Sequence, residues 1–347
     1  MNNKILLGMS GGTDSSVAAI LLLEQGYEVT GITFRFWEEG DNFHLRDAQQ
    51  LATQLGIEHI VYDARNVFKN TVVRYFVDEY LVGRTPFPCV KCNNELKWKL
   101  ILQEADRLGC DRVAMGHYVN IIHEKDRYFV AEGVDADKDQ SFFLWGLSQE
   151  QLARIVFPLG GFHKTEVRKM AADRGFLKVS EKKDSLGACF CAGDYRPFLK
   201  SQLIEPDKTI YPGNFIDENG KVVGQHNGFP LYTVGQRRGL IHLNRKVFVK
   251  EIRPESNEVV LAPLEGMYKT NFLIRDVNIA DKHLFTDQFD IVCRIRYRKQ
   301  NTLCRVVFLE DGNARVELAE ALESIAPGQT AVFYQQGKVL GGGFIVG

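Results

Sequence analysis

Lys4-Ile5-Leu6-Leu7-Gly8-Met9-Ser10-Gly11-Gly12-Thr13-Asp14-Ser15-Ser16 is a short apolar run followed by a glycine-rich turn, and VAAILLLEQG after it (17–26) has helical periodicity. This is a strand, a phosphate cradle and a helix start. Such a loop presents successive backbone N–H groups at a helix N-terminus, where the macrodipole adds partial positive charge, and so suits phosphate oxygens. The implied ligand is a nucleotide. The Walker A pattern GxxxxGK[ST] needs a lysine to reach the β and γ phosphates, and none stands in this loop, so transfer of the γ phosphate is disfavoured. A glycine turn with a Ser or Asp cap is the plainer reading, but it accounts poorly for so long a string after a strand.

Working outward, the pattern of an apolar strand followed by a helix repeats to about residue 120: EVTGITFRF before Asp47–Leu55, EHIVYD before a helix through Tyr80, and RVAMGHY after the helix Leu96–Leu108. Alternation of this kind predicts an α/β fold with a doubly wound parallel sheet, whose ligands sit at the carboxyl ends of the strands. Both the Ser10–Ser16 loop and Gly116-His117 follow strands and are expected to meet at that edge. Helices dominate from 148 to about 205. Short β-like runs then take over and predict two small β domains, the last a β-barrel. The expected boundaries are 1–205 for the nucleotide-binding α/β domain, 206–270 for a small central β domain and 271–347 for the C-terminal barrel.

The chain has 347 residues, enough for two or three cores. Its formal net charge of -1 offers no global basic field, so any RNA contact must rest on local patches. The start, MNNKILLGM, is too short for a signal peptide, and no uncharged apolar run of about 18 residues occurs, so a cytoplasmic protein without membrane contact is expected. The seven cysteines then argue for thiol chemistry or metal binding rather than a structural disulfide framework. Cys110, Cys293 and Cys304 stand singly among apolar neighbours and read as small buried hydrophobes.

The others fall in two motifs. TPFPCVKCNNELKWK (85–99) sets Cys89 and Cys92 three apart before a helix expected near Asn93, beside Lys91 and Lys97; that setting predicts a lowered thiol pKa. KKDSLGACF (182–190) places Cys189 near two lysines, with Cys191 following. The two motifs can pair as a transient disulfide, as persulfide carrier and partner, or as metal ligands. A zinc site is weakened by the CxC spacing of the second motif, and an iron–sulfur cluster on Cys89, Cys92 and Cys189 is the alternative metal reading.

The string SGGTDSS resembles the PP-loop of the ATP pyrophosphatases, the adenine nucleotide alpha hydrolase-like fold, whose members cleave ATP to AMP and pyrophosphate. With TPFPCVKCNNELKWK, Gly116-His117-Tyr118, Lys138-Asp139-Gln140-Ser141, KKDSLGACF, TVGQRRGL and PGQTAVFY, the ordered set resembles the bacterial tRNA-specific 2-thiouridylase family along nearly the whole chain. The resemblance implies ATP with Mg2+ at Gly8, Met9, Ser10, Gly11, Gly12, Thr13, Asp14, Ser15, Phe34 and Gly116. It implies Cys92 as nucleophile, Cys189 as persulfide carrier, and a disulfide between them closing the cycle. It also implies tRNA contacts at Phe87, Pro88, Cys89, His117, Lys138, Asp139, Gln140, Arg296, Tyr297, Arg298 and Gln329. The implied reaction replaces the C2 oxygen of the wobble uridine by sulfur after adenylation, with a cysteine desulfurase or sulfur-relay protein as donor. Two positions depart from the family: Cys89 stands where many relatives have an aspartate read as general acid or base, and Phe87 replaces an asparagine.

Arg294, Arg296 and Arg298 alternate and are expected on one face of a strand, which reads on its own as a solvated charged face and, with the resemblance, as a phosphate-binding stripe whose binding would be salt-sensitive. Trp37, Trp98 and Trp145 read as core anchors. Two other readings accommodate part of the pattern: a PP-loop ligase using nitrogen nucleophiles, which leaves the cysteines unexplained, and a metal-binding RNA-binding protein in which the cysteines are ligands.

Overall fold

The computed structural model describes residues 3–37, 43–176, 187–191, 193–203, 210–297 and 300–346. The chain divides into two units: Met1–Thr71 with Cys89–Phe190 and Gln336–Leu340, and Val72–Pro88 with Cys191–Gln335 and Gly341–Gly347.

The first unit is built on strands β1 (Lys4–Gly8), β2 (Glu28–Arg35), β3 (Glu58–Asp63), β4 (Arg112–Met115) and β7 (Ile155–Val156), in the order β3-β2-β1-β4-β7. All four pairings are parallel, as the alternating pattern predicts. β1 sits at the centre, and Ile5, Leu6 and Leu7 are fully buried, which is why its sequence is a continuous apolar run rather than an alternating one. Between β1 and β4 the winding reverses, so the loops after these two strands open the crevice where such sheets bind ligands.

Helix α1 (Thr13–Glu24) follows β1 at once and α2 (Phe43–Leu55) follows β2. A short helix α3 (Pro88–Cys92) runs through a π-helical turn, Asn93–Lys97, into α4 (Trp98–Leu108). Helix α5 (Lys164–Asp173) lays Val167 and Ala171 against Val17, Ala18 and Leu22 of α1 in one apolar core. A hairpin of β5 (Val119–Glu124) and β6 (Arg127–Glu132) turns through Lys125 and Asp126, both at positive φ, the conformation a two-residue hairpin turn requires.

In the second unit, β8 (Gly213–Ile216), β9 (Val222–His226), β10 (Phe248–Arg253) and β11 (Glu258–Ala262) form a sheet of order β10-β11-β8-β9. The last six strands are β12 (Tyr268–Ile279), β13 (Ile291–Arg294), β14 (Thr302–Phe308), β15 (Ala314–Glu323), β16 (Thr330–Gln335) and β17 (Lys338–Ile345). They run β12-β15-β14-β13-β16-β17, and a β12–β17 pairing closes the barrel. Cys293 and Cys304 point into its core with no exposure, as their apolar surroundings predict. The GGG at 341–343 lies within β17 as strand.

The arginine stripe is corrected: β13 ends at Arg294, because the Gln300 side chain takes over the ladder by accepting from Ile295 N at 2.8 Å and donating to Cys293 O at 3.2 Å. Arg298 lies outside the described residues. No described helix is long and apolar enough to cross a membrane.

Candidate functional site

The loop after β1 is held open by small residues. Gly11 has φ +67°, a left-handed conformation that favours glycine. Gly12, extended at the N-terminus of α1, brings no side chain to cap it, an arrangement that a bound anion completes. The serines fold the loop on itself: Ser15 Oγ donates to Gly12 O at 3.1 Å and accepts from Ser10 N at 3.2 Å, and Ser16 Oγ donates to Gly12 O at 2.8 Å. Met9 is buried behind it. The loop also meets the end of β4. A Cβ on Gly116 would stand 2.9 Å from the Asp14 carbonyl carbon, and one on Gly8 would stand 3.0 Å from Met115 Cγ, so glycine at both positions lets strand and loop approach.

Within the loop, Asp14 accepts from Tyr118 Oη at 2.6 Å and from Lys164 Nζ at 2.7 and 2.8 Å. Sequence reading missed Lys164. The available signal was a lysine in the first turn of a helix, where a cation is disfavoured.

Phe34, near the end of β2, is half-buried and stacks on Phe36 with ring centroids 5.5 Å apart. Phe36 touches Phe68, and Phe68 touches Phe190, at 5.2 and 5.7 Å. Phe190 is 1% exposed and neighbours Cys189 in sequence, so an aromatic chain moors the second cysteine motif beyond the end of β2. That anchor was also missed. Residues 182–186 of the motif lie outside the described residues.

The expectation of lowered thiol pKa values is corrected. Pro88–Cys92 is itself helical, so Cys92 does not stand at a helix N-terminus, and Lys91 is bound to Glu95 at 2.6 Å. Burial pushes the Cys89 and Cys92 thiols up, and the Lys97 charge offsets only part of that. Cys189 reaches solvent, yet the atoms packed about its sulfur, and then the Cys92 thiol, push it up to about 11, again against Lys97. The three thiols and Lys97 thus act on one another in one unit. Asn94 braces the cysteine segment by accepting from Gly146 N at 3.2 Å, and a Cβ on Gly146 would stand 2.7 Å from that side chain.

His117 is buried between Trp98 and Phe157, with centroids 5.6 and 6.0 Å away, and burial lowers its pKa to about 3 with Lys97 adding to the effect. Its ring is neutral, and its Nδ1 has no hydrogen-bond partner. Trp98 and Trp145 are core residues as expected.

Asp139 accepts from Gly133 N, Ser141 N and Ser141 Oγ, and the Gln140 side chain accepts from Tyr118 N, so both shape their own loop; Lys138 beside them is half-buried. In the second unit, Arg296 donates to Glu323 O at 2.9 Å and Tyr297 is half-buried. Gln329 Nε2 donates to the carbonyls of Thr85 and Pro86 at 2.9 and 3.3 Å, and Thr85 N donates to Pro327 O at 2.7 Å, fixing the segment that leads to Phe87 and Pro88. Among the described residues no group of three or more His, Cys, Asp or Glu side chains is disposed to hold a single metal ion.

Three family domains match the chain: a tRNA methyl transferase HUP domain over residues 3–193, a tRNA methyl transferase PRC-barrel domain over 197–263, and an aminomethyltransferase beta-barrel domain over 269–345. Along 99% of its length the chain is 53% identical to the tRNA-specific 2-thiouridylase MnmA 1 of Bacteroides fragilis (strain YCH46), covering 97% of that protein. It is 52% identical to MnmA 2 of Phocaeicola vulgatus over 99% of this chain and 98% of that one. Against the tRNA-specific 2-thiouridylase MnmA of Cytophaga hutchinsonii the identity is 42%, over 99% and 97%.

Proposed function

The chain belongs to the tRNA-specific 2-thiouridylase family, and from that premise we propose that it is an ATP-dependent tRNA sulfurtransferase of the cytoplasm that converts the wobble uridine to 2-thiouridine. The loop Gly8–Ser15, with Phe34 and Gly116, binds ATP with Mg2+. The uridine C2 oxygen attacks the α phosphorus, the bond to the β phosphate breaks, and pyrophosphate leaves. The C2 oxygen, now esterified to AMP, is a good leaving group.

Sulfur comes from a Cys189 persulfide by one of two balanced routes. In one, the terminal sulfur attacks C2 and expels AMP, after which the Cys92 thiolate attacks the Cys189 sulfur and 2-thiouridine departs. In the other, Cys92 attacks the persulfide first, and the released hydrosulfide displaces AMP. Both leave a Cys92–Cys189 disulfide, which a cellular thiol reductant reopens before a cysteine desulfurase or relay protein reloads Cys189. The observation that carries the reading is that the Lys97 charge lowers both the Cys92 and the Cys189 thiol against the burial that raises them, in the unit that carries the loop. Burial holds these thiols protonated, so Lys97 is what favours the thiolate each step needs. Phe87, Pro88, Cys89, His117, Lys138, Asp139, Gln140, Arg296, Tyr297, Arg298 and Gln329 contact the tRNA.

The test incubates the protein with ATP, Mg2+, cysteine, a cysteine desulfurase and unmodified tRNA, with nucleoside mass spectrometry as readout. 2-Thiouridine forms, and Cys92→Ala and Cys189→Ala abolish it. Full turnover by Cys92→Ala supports a nitrogen-nucleophile ligase instead, and stoichiometric zinc with unchanged tRNA supports a metal-binding RNA-binding protein.

A further inference from the structure

From Asn219 to Lys250 the chain carries six Lys or Arg residues and no Asp or Glu, in a protein whose formal net charge is -1. Interspersed charges keep a surface soluble without mutual repulsion, so a stretch of one sign calls for a counter-charge from elsewhere. Lys250 has one in Glu218, at 2.7 Å. Arg237, Arg238, Arg245 and Lys246 are exposed, and none of them pairs with a described acidic side chain. All four lie on one loop, residues 237–247, which leads into β10.

That loop is held at both ends and in its middle. Gly235 N donates to Val249 O at 2.8 Å and Val249 N donates to Gln236 O at 2.9 Å, so the two ends are tied together. Gln236 Nε2 donates to Arg238 O at 2.9 Å and fixes the turn that carries both arginines. Ile241 rests on β9, where a Cβ on Gly224 would stand 2.9 Å from Ile241 Cδ1. At the base, Gly235 has φ +88° and lies so near Ser324 that a Cβ on it would stand 2.7 Å from the Ser324 Cβ. Ser324 follows Glu323, whose carbonyl accepts from Arg296 at 2.9 Å. The loop therefore springs from beside the residue that holds Arg296, within one unit.

We propose that Arg237, Arg238, Arg245 and Lys246 form a platform that grips the sugar–phosphate backbone of the tRNA, continuous with Arg296. This rests on the reading that the substrate is tRNA. Guanidinium groups meet phosphate oxygens in a bidentate fork, and each phosphate neutralised releases counterions from the RNA. A loop already tied at its ends and middle loses little conformational freedom when it binds. Backbone contacts fix the position of the RNA and carry no sequence information, so this surface supplies affinity and orientation while choice of the base stays elsewhere.

The test measures equilibrium binding of the full chain to unmodified tRNA, and to a tRNA with no wobble uridine, over a series of KCl concentrations. Arg237→Gln with Arg238→Gln, and Arg245→Gln with Lys246→Gln, are each expected to weaken both RNAs alike, about 10- to 100-fold near 0.1 M salt, and to reduce the slope of log affinity against log salt by about 1 per residue. KM for tRNA in 2-thiouridine formation rises to match, and KM for ATP does not move. Arg237→Lys with Arg238→Lys keeps the charge and is expected to recover most of the affinity and slope; a loss as deep as with glutamine identifies a merely structural role and overturns the proposal. Lys69→Gln with Lys169→Gln removes the same charge from exposed lysines of the other unit, and losses equal to those of the loop pairs identify a general field effect and overturn it as well. Unchanged tRNA binding with slower thiolation only when the cysteine desulfurase supplies the sulfur points to an acidic protein on this loop instead, and overturns it. A wild-type chain that binds no tRNA overturns the parent reading and this one with it; a wild type that binds tRNA beside unaffected loop variants overturns this one alone.

Discussion

Gly116→Ala tests whether the end of β4 sets the shape of the nucleotide loop. The added Cβ would stand 2.9 Å from the Asp14 carbonyl carbon and 3.1 Å from its oxygen and Cβ, where ordinary contact begins at 3.4 Å. Gly116 is not among the glycines at positive φ, so the effect is steric and not a backbone-conformation penalty. The obstacle is backbone at the start of α1, which cannot swing aside as a side-chain tip does, and the loop or the strand must retreat by roughly half an ångström. Overpacking of this kind costs about 1–3 kcal/mol. If that strain falls on the conformation that binds ATP, affinity drops about 5- to 150-fold, each 1.4 kcal/mol being tenfold. The assay is ATP titration with KM for ATP in thiolation, paired with Gly161→Ala, whose Cβ would meet nothing within 4 Å. Wild-type ATP affinity in Gly116→Ala, or equal losses in both variants, refutes the reasoning.

Cys189 alkylation should accelerate about tenfold per pH unit through the neutral range and level off only near pH 11, because its raised pKa means the thiolate is lost as pH falls below that value; Lys97→Met should slow it further, followed by mass spectrometry of the labelled peptide. His117, depressed to about 3 in the fold, binds its proton first in the unfolded chain, so its contribution to stability is intact above about pH 6.5 and declines below it by up to about 1.4 kcal/mol per unit. Chemical denaturation at pH 7 and pH 5 should show that slope, and His117→Phe should flatten it. Glu79 is buried and binds Arg84 at 2.7 Å and Arg275 at 2.9 Å, so Glu79→Gln should lower unfolding free energy by about 2 kcal/mol, less than a fully buried pair because both arginines are about a third exposed. A urea midpoint equal to wild type would contradict it.

The parallel sheet and the crevice loop were legible because they rest on local chemistry: Ile5-Leu6-Leu7 is apolar on both faces, and Gly11 takes the left-handed turn that other residues disfavour. The closed barrel was legible from short alternating runs. What could not be read locally was burial contributed by distant segments. PCVKC looks like an activated thiol motif, yet packing around Cys92 outweighs Lys97. His117 reads either as a tRNA contact or as an ordinary strand-end histidine, and nothing local in the sequence shows that Trp98 and Phe157 pack against its ring. The arginine stripe followed a correct alternation, since Ile295 is buried and Arg296 exposed, but Gln300 replaces the ladder partner one residue after Arg294.

The mooring of Phe190 limits how far a sulfur atom on the preceding residue can travel. One residue spans at most about 3.6 Å, so in the proposed reaction a sulfur atom on Cys189 swings on a short leash from a fixed post. Under that proposal, delivery over any greater distance falls to the visitor: the donor extends its own sulfur-bearing arm to this spot, and the anticodon bends its base toward it.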